Sequence, residues 1–256
     1  MQMEEAYCGI DVAFAKRKRL PVAVCTRTSS ALRALPLRDA GLQPPRGSGN
    51  RAALQPTLVA AFANEALAYL REVERIYDVA IKRVAIDAPR DYAPPGQRRR
   101  ADLAMDKAGI SCFSTPSRAQ FELIRTKALA HLSAGGPENR LPHANQLWML
   151  VGFELFRVLE SHFDCIEVFP QAIVRALDPT IAHKSRSDGL ARQIDLLSKE
   201  TGLTAESIDH SSNGPRHDRV DALLSAWIAS LGQESLVCHG DGYRDTIWSV
   251  ATGKSQ

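Results

Sequence analysis

Three apolar segments of this chain, each of a length suited to one buried strand, carry a carboxylate. Asp11 lies near the end of the first segment, Asp87 ends the second and Glu167 lies inside the third. An unpaired carboxylate inside a dry sheet costs on the order of several kcal/mol, so each acid requires a cation, a helix N-terminus or a metal ion. The carboxyl ends of strands in open α/β sheets are also where ligand crevices form.

The rest of the chain shows strand and helix patterns in a simple order. Apolar runs predict strands over residues 7–13, 20–26, 30–37, 79–87 and 164–170. Helical spacing predicts helices over residues 57–77, about 100–108, 118–132, 145–161, 171–177, 189–201 and 216–231. Residues 41–50 are expected to form a loop, and residues 243–248 a return strand or a closing segment.

Strands that first run as a meander and then alternate with helices favour an α/β fold. We expect a mixed five-stranded sheet flanked by helices, with extra helices inserted over about 94–162. The sequence contains no segment with the composition of an interdomain linker, so residues 1–256 are predicted to form a single domain.

A further pair of carboxylates, Asp218 and Asp221, lies on the predicted helix 216–231. Their spacing of three residues places them on one face of that helix. Asp221 falls at the margin of the apolar stripe, where it can face the sheet. Acids in the first turn also stabilise a helix through its dipole, and this alternative stays open, above all for Asp218.

Acids that converge in this way suit divalent metal chemistry. Like charges a few ångströms apart repel and raise one another's pKa, and a divalent ion with oxygen ligands reverses that effect. Two such ions can activate a water and stabilise the leaving oxygen of an in-line displacement at phosphorus. The candidate catalytic residues are therefore Asp11, Asp87, Glu167, Asp218 and Asp221, and the expected cofactor is Mg²⁺ or Mn²⁺ in a two-ion site.

Four short motifs that contain these acids follow one another over nearly the whole chain. They are Gly9-Ile10-Asp11-Val12-Ala13, Ile86-Asp87-Ala88-Pro89, Glu167-Val168-Phe169-Pro170 and Asp218-Arg219-Val220-Asp221-Ala222. In this order they resemble a widespread uncharacterised family of predicted RNase H-like nucleases, which is distantly similar to RuvC-type resolvases. The resemblance implies an RNase H-like domain.

In RNase H-like nucleases the metal ions are held by an aspartate on the first strand, an acid after the fourth strand and an acid on the last helix. The resemblance assigns these metal-binding roles to Asp11, Asp87 and Asp221. It makes Asp218 a supporting ligand, whereas an acid at the position of Glu167 is not clearly required by the fold.

Basic residues indicate a polyanionic partner. Residues 12–51 contain nine lysines and arginines against one acid, a balance that attracts nucleic acid but is also typical of a solvated loop-rich face. The candidates for contact with substrate phosphates are Lys16, Arg100, Lys184 and Arg192. We expect nucleic acid as partner and no membrane; the oligomeric state stays open, a homodimer included.

Several function classes are disfavoured. The five cysteines form no CxxC pair and no metal-ligand spacing with histidine, and no apolar run approaches the roughly 18–20 residues of a transmembrane helix, so a cytoplasmic protein is expected. The sequence has no P-loop and no GxGxxG motif, which argues against the common nucleotide-binding modes.

The leading hypothesis is an enzyme, a metal-dependent nuclease that hydrolyses phosphodiester bonds of DNA or RNA. One alternative is an actin-like or other phosphoryl-transfer enzyme on the same fold, although such enzymes need glycine-rich phosphate loops and Val-Ala-Phe-Ala-Lys follows Asp11 here. The other alternative is a non-catalytic binding protein in which the acids form an ion-pair network.

Overall fold

The computed structural model describes residues 3–28, 31–182, 184, 186 and 188–251. Within them, seven strands form one mixed sheet: β1 (Glu4–Asp11), β2 (Val22–Arg27), β3 (Leu32–Ala34), β4 (Val79–Asp87), β5 (Asp164–Val168), β6 (Leu236–Asp241) and β7 (Asp245–Val250). The helices are α1 (Asn50–Ala53), α2 (Pro56–Tyr77), α3 (Arg100–Lys107), α4 (Arg118–Ser133), α5 (Trp148–Leu159), α6 (Pro170–Leu177), α7 (Gly189–Thr201), α8 (Ala205–His210) and α9 (Arg216–Ala229).

The strand order in the sheet is β3-β2-β1-β4-β5-β7-β6. Strand β2 is antiparallel to β1, whereas β4 is parallel to β1 and β5 is parallel to β4. Because parallel strands end at the same edge of a sheet, β1, β4 and β5 deliver their last residues to one place. Asp11 and Asp87 are direct neighbours in the register of β1 and β4.

The prediction of five strands is wrong, because β6 and β7 form a C-terminal hairpin that extends the sheet beyond β5. Strand β7 overlaps the segment expected to return at the end of the chain. Strand β6 was missed because it is an edge strand with no fully buried residue, so it carries no apolar run that could reveal it. Residue 30, where the third strand was expected to begin, lies outside the described residues.

The helices at 57–77, 118–132 and 216–231 are confirmed to within about two residues at each end. Two short helices, α1 and α8, were not predicted, since neither is long enough to show a helical period. Helices α3, α4 and α5 lie between β4 and β5, over the region predicted as a helical insertion. The limits of that insertion and the single domain stay predictions.

Helices cover both faces of the sheet. On one face α2 and α5 pack over β1 and β4 through Phe62, Leu70, Leu155 and Phe156. On the other face α9 packs over the same strands, and every residue from Asp218 to Ala229 is buried. No helix in the described part of the chain is long and apolar enough to cross a membrane.

Gly9 explains how closely α9 approaches the sheet. A Cβ atom at this position would collide with the carbonyl oxygen of Ala222 and the backbone nitrogen of Ala226. The missing side chain therefore lets the backbone of α9 rest directly on β1, two residues before Asp11. This contact brings the acids of α9 to the end of the first strand.

The five cysteines are all free thiols. Cys8, Cys25 and Cys165 are buried among apolar side chains. Cys112 is half-buried and Cys238 is exposed, so these two do not serve as core residues.

Candidate functional site

Three aspartates from three elements converge at the carboxyl ends of the central strands. Asp11 ends β1, Asp87 ends β4 and Asp221 lies in the second turn of α9. Each offers one carboxylate oxygen, and these oxygens lie within 4.8 Å of one another. The strand register and the contact of α9 with Gly9 together produce this cluster, which we call the aspartate cluster.

Burial raises the pKa values of two of these carboxyl groups. The pKa of Asp11 rises from 3.8 to about 7, chiefly because the group is desolvated and secondly because the charge of Asp218 lies nearby. Desolvation also raises the pKa of Asp87 well above its ordinary value, and the charge of Asp11 adds to the effect. Folding therefore holds these two side chains close together and favours their protonated, uncharged forms.

Two lysines supply positive charge to the acids. Lys184 Nζ contacts Oδ2 of Asp221, a residue that is only 2% exposed. Lys18 Nζ lies 2.6 Å from Oδ2 of Asp218. Both lysines lower the pKa of Asp11, but less than burial raises it. The two lysines thus compensate part of the negative charge around Asp11.

Asp218 lies beside the aspartate cluster and outside it. One of its oxygens faces Lys18, and Oδ1 lies 3.1 Å from Nε2 of His217. The charge of Asp218 lies next to Asp11 and contributes to the raised pKa of that residue, and the role of Asp218 as a supporting ligand stays a prediction.

The donor chemistry of the aspartate cluster fits a hard divalent ion. All three ligand atoms are carboxylate oxygens, the ligands that Mg²⁺ and related ions prefer. A divalent ion would supply the positive charge that favours the ionised forms of Asp11 and Asp87. Asp11, Asp87 and Asp221 could therefore hold a metal ion.

Glu167 belongs to a separate buried ion pair next to the aspartate cluster. Arg99 donates from Nη1 to Oε1 at 2.9 Å and from Nη2 to Oε2 at 2.6 Å, and the backbone N–H of Arg90 donates to Oε2 at 2.8 Å. Burial raises the pKa of Glu167, and Arg99 opposes this shift. With both oxygens engaged, Glu167 fixes Arg99 and influences Asp87 through its charge.

Arg99 is a central residue that sequence reasoning did not single out. It is 2% exposed and also donates from Nε to Oδ1 of Asp245 at 3.2 Å. The carboxylate of Asp245 in turn accepts from the backbone N–H groups of Arg100 and Ala101 at the start of α3. The pair Arg99–Glu167 therefore joins α3, β5 and β7 beside the aspartate cluster.

The four predicted phosphate contacts lie in different places. Lys184 contacts the aspartate cluster. Lys16 is exposed in the turn after β1, and Arg192 is exposed on α7. Arg100 is exposed and pairs with Asp241 of the edge hairpin. Among the described residues, Lys184 alone of the four contacts one of the three aspartates.

A cavity of about 340 Å³ opens beside the aspartate cluster. The charged residues of its wall are Asp87, Asp102, Glu167, Asp221 and Lys184. The remainder of its wall is largely apolar and includes Phe113, Trp148, Met149, Phe169 and Ile247. Trp148 lies half-buried at this cavity and packs against the core.

A family model described as "Protein of unknown function (DUF429)" matches residues 9–243. No curated protein and no solved structure matches the chain. The matched region contains all three members of the aspartate cluster and the lysines that contact the acids.

Proposed function

The chain belongs to the DUF429 family, and from this premise we propose that it is a metal-dependent nuclease that hydrolyses phosphodiester bonds of DNA or RNA. The observation that carries the proposal is the convergence of Asp11, Asp87 and Asp221 within 4.8 Å. They come from the first strand, the end of the fourth strand and the last helix. These are the elements on which RNase H-like nucleases hold their metal ions.

An RNase H-like domain is part of this proposal. Strands β1 to β5 are contiguous in the sheet in the order β3-β2-β1-β4-β5, and the hairpin β6–β7 is added outside them. Five contiguous strands support this part of the proposal, and the hairpin adds two strands to the five that were expected.

Asp11, Asp87 and Asp221 would hold Mg²⁺ or Mn²⁺, in a two-ion site. When bound, such ions supply the positive charge that activates a water and stabilises the leaving oxygen. The chain's own contribution is to hold the three carboxylates together by the close packing of α9 on β1. Lys184, which contacts Asp221, would neutralise a phosphate oxygen of the substrate.

Nucleic acid is the proposed partner because the basic turn after β1 lies beside the acids. Lys18 of this turn reaches Asp218, and Lys16 of the same turn is exposed. The turn therefore presents positive charge next to the site where the phosphate would be cut, as expected for binding of a polyanionic strand.

The test is cleavage of labelled single- and double-stranded DNA and RNA by purified protein with Mg²⁺, with Mn²⁺ and with EDTA. Asp11→Asn, Asp87→Asn and Asp221→Asn should each lower the rate by at least about 100-fold, since losing a ligand costs more than the roughly 10–100-fold typical of an outer-shell partner. Asp195→Asn, on the exposed face of α7, is the matched control and should cleave as the wild type does.

Two other outcomes would favour the alternatives. Thermal protection by ATP with Mg²⁺, without cleavage of any nucleic acid, would favour a phosphoryl-transfer enzyme on the same fold. Failure of Mg²⁺ and Mn²⁺ to change the thermal stability of the wild type would contradict the metal centre and favour a non-catalytic binding protein.

A further inference from the structure

The cavity beside the aspartate cluster has apolar lining residues that metal and phosphate chemistry does not use, here called the apolar side. They are Trp148 and Met149 of α5, Phe169 before α6 and Phe113. Phosphates and metal ions gain nothing from contact with such side chains, because they are strongly hydrated and charged. The apolar side therefore indicates that another, less polar part of a ligand enters the cavity.

Gln193 adds a polar group to this wall. The residue lines the cavity and is only 1% exposed. Its Oε1 atom is buried and has no hydrogen-bond partner among the described residues. Buried polar atoms are nearly always paired in folded proteins, so an unpaired amide oxygen at a cavity indicates a ligand that donates to it.

The aromatic residues are placed to contact a flat ligand. Phe113 is 56% exposed at the cavity, an unusual position for a large apolar side chain with no cover. Trp148 donates its indole N–H to the carbonyl oxygen of Asn145 at 2.9 Å, which fixes the orientation of the ring. Aromatic side chains of this kind form the platforms on which unpaired bases stack.

The size and the mixed lining of the cavity narrow the class of ligand. A volume of about 340 Å³ suits a small molecule or one unit of a polymer. Charged residues of the aspartate cluster and aromatic residues line the same cavity. With the proposed metal ions at the aspartate cluster, a ligand that fits this lining has an anionic group for the ions and a flat ring with hydrogen-bonding edges for the other residues, which is the composition of a nucleotide.

We propose that this cavity binds an unpaired nucleobase of the nucleotide whose phosphate lies at the aspartate cluster. Gln193 hydrogen-bonds the edge of the base, and Trp148 and Phe113 contact its faces. The inference rests on the proposed function for the position of the phosphate. It makes an unpaired strand, and not an intact duplex, the substrate, because a base inside a duplex is stacked on both faces and paired at its edge.

The experiment measures binding in the presence of Ca²⁺, an ion that carboxylate oxygens bind, and gel electrophoresis checks that the strands stay intact. A fluorescently labelled single-stranded 12-nucleotide DNA is titrated with the wild-type protein, beside its RNA counterpart, the matched duplexes and a strand that is abasic at every position. We expect the single strand to bind at least about tenfold more tightly than the duplex. Loss of the bases should weaken binding about tenfold, since stacking of a base on an aromatic residue has an effect of this size.

Gln193→Leu separates recognition from folding. Because leucine removes an unpaired buried amide, the variant should unfold at a higher temperature than the wild type, yet bind the single strand about fivefold more weakly and discriminate less between bases. Gln233→Leu is the control, because Gln233 is exposed and does not line the cavity. This variant should bind the single strand as the wild type does.

Titration with nucleoside monophosphates separates a free nucleotide from a strand as the source of the base. Equal affinity for a monophosphate and for the 12-nucleotide strand supports the base site and assigns it to free nucleotides. Equal affinity for intact and abasic strands, or no binding of any of these probes, overturns the inference.

The two proposals fail in different ways. Base-dependent binding without cleavage by Mg²⁺ or Mn²⁺ would remove the nuclease and keep the base site. Cleavage of duplexes and abasic strands at the rate of the intact single strand would keep the nuclease and remove the base site.

Discussion

Replacing Asp11 by asparagine should stabilise the metal-free protein at alkaline pH. The folded state raises the pKa of this carboxyl group from 3.8 to about 7, first through burial and then through the charge of Asp218. Between those two pH values the folded state binds more protons than the unfolded state, so the free energy of unfolding falls as the pH rises. Asparagine has nearly the same shape and carries no charge at any pH.

The magnitude follows from the size of the shift. A shift of one pKa unit corresponds to about 1.4 kcal/mol, so the ionisation of Asp11 costs the folded protein at most about 4 kcal/mol above pH 7. The residue is partly accessible to solvent, which screens some of this charge. We therefore expect the variant to exceed the wild type by about 2 kcal/mol at pH 8 and to equal it near pH 4.

The assay is urea denaturation of both proteins in EDTA, followed by fluorescence or circular dichroism between pH 4 and pH 8.5. Only the difference between wild type and variant is used, because other groups titrate in both proteins. Asp195→Asn serves as the control and should show no difference that depends on pH. A variant that is less stable than the wild type at every pH would refute the reasoning, since it would mean that the lysines fully compensate the charge of Asp11.

Three further predictions concern the surroundings of the aspartate cluster. Arg99→Met leaves Glu167 buried without its partner and should lower the free energy of unfolding by about 3–5 kcal/mol in urea denaturation. The double variant with Glu167→Met should recover part of this loss, because Asp245 still lacks its arginine; no recovery would show that Glu167 is not the main partner of Arg99. Gly9→Ala should lower the free energy of unfolding by about 1–3 kcal/mol or prevent folding, because the added methyl group meets the backbone of α9. A variant as stable as the wild type would show that α9 can move away from β1. Lys184→Met removes the cation at Asp221. The melting temperature of this variant should therefore rise more on addition of 10 mM Mg²⁺ than the melting temperature of the wild type does. An equal or smaller rise would show that the lysine and the ion do not compete for Asp221.

Much of the aspartate cluster could be found in the sequence because its members are marked locally. Asp11 and Asp87 end apolar runs that can only be buried strands, and parallel neighbours must end at the same edge. Asp221 lies at the margin of a helical stripe, which directs it towards the sheet. Strands and helices repeat their inward-facing side chains every two and every 3.6 residues. A few consecutive residues therefore suffice to predict the type of element and the face that is buried.

The charges that surround the cluster could not be found in this way. Glu167 was recognised as a buried acid that needs compensation, but its partner Arg99 lies 68 positions earlier in the chain. Three consecutive arginines, Arg98 to Arg100, offered three equal candidates, and each has a different acid in the structure. A buried carboxylate needs a cation, but the residues around it in the sequence do not indicate which cation the fold brings into contact with it.

The cavity and the edge of the sheet were likewise decided by tertiary structure. Gln193 lies in a helix and Phe113 in a loop, and no local sequence pattern marks either residue. Both line the cavity because α5, α6 and α7 leave space beside the strand ends. Strand β6 pairs with the backbone of β7 at the edge of the sheet. Because none of its residues is fully buried, this pairing contributes more to its formation than its own side chains do. The sequence by itself thus determined which segments are buried and where charge must be compensated. The tertiary structure decided which residues compensate it, because those contacts join segments that no local pattern connects.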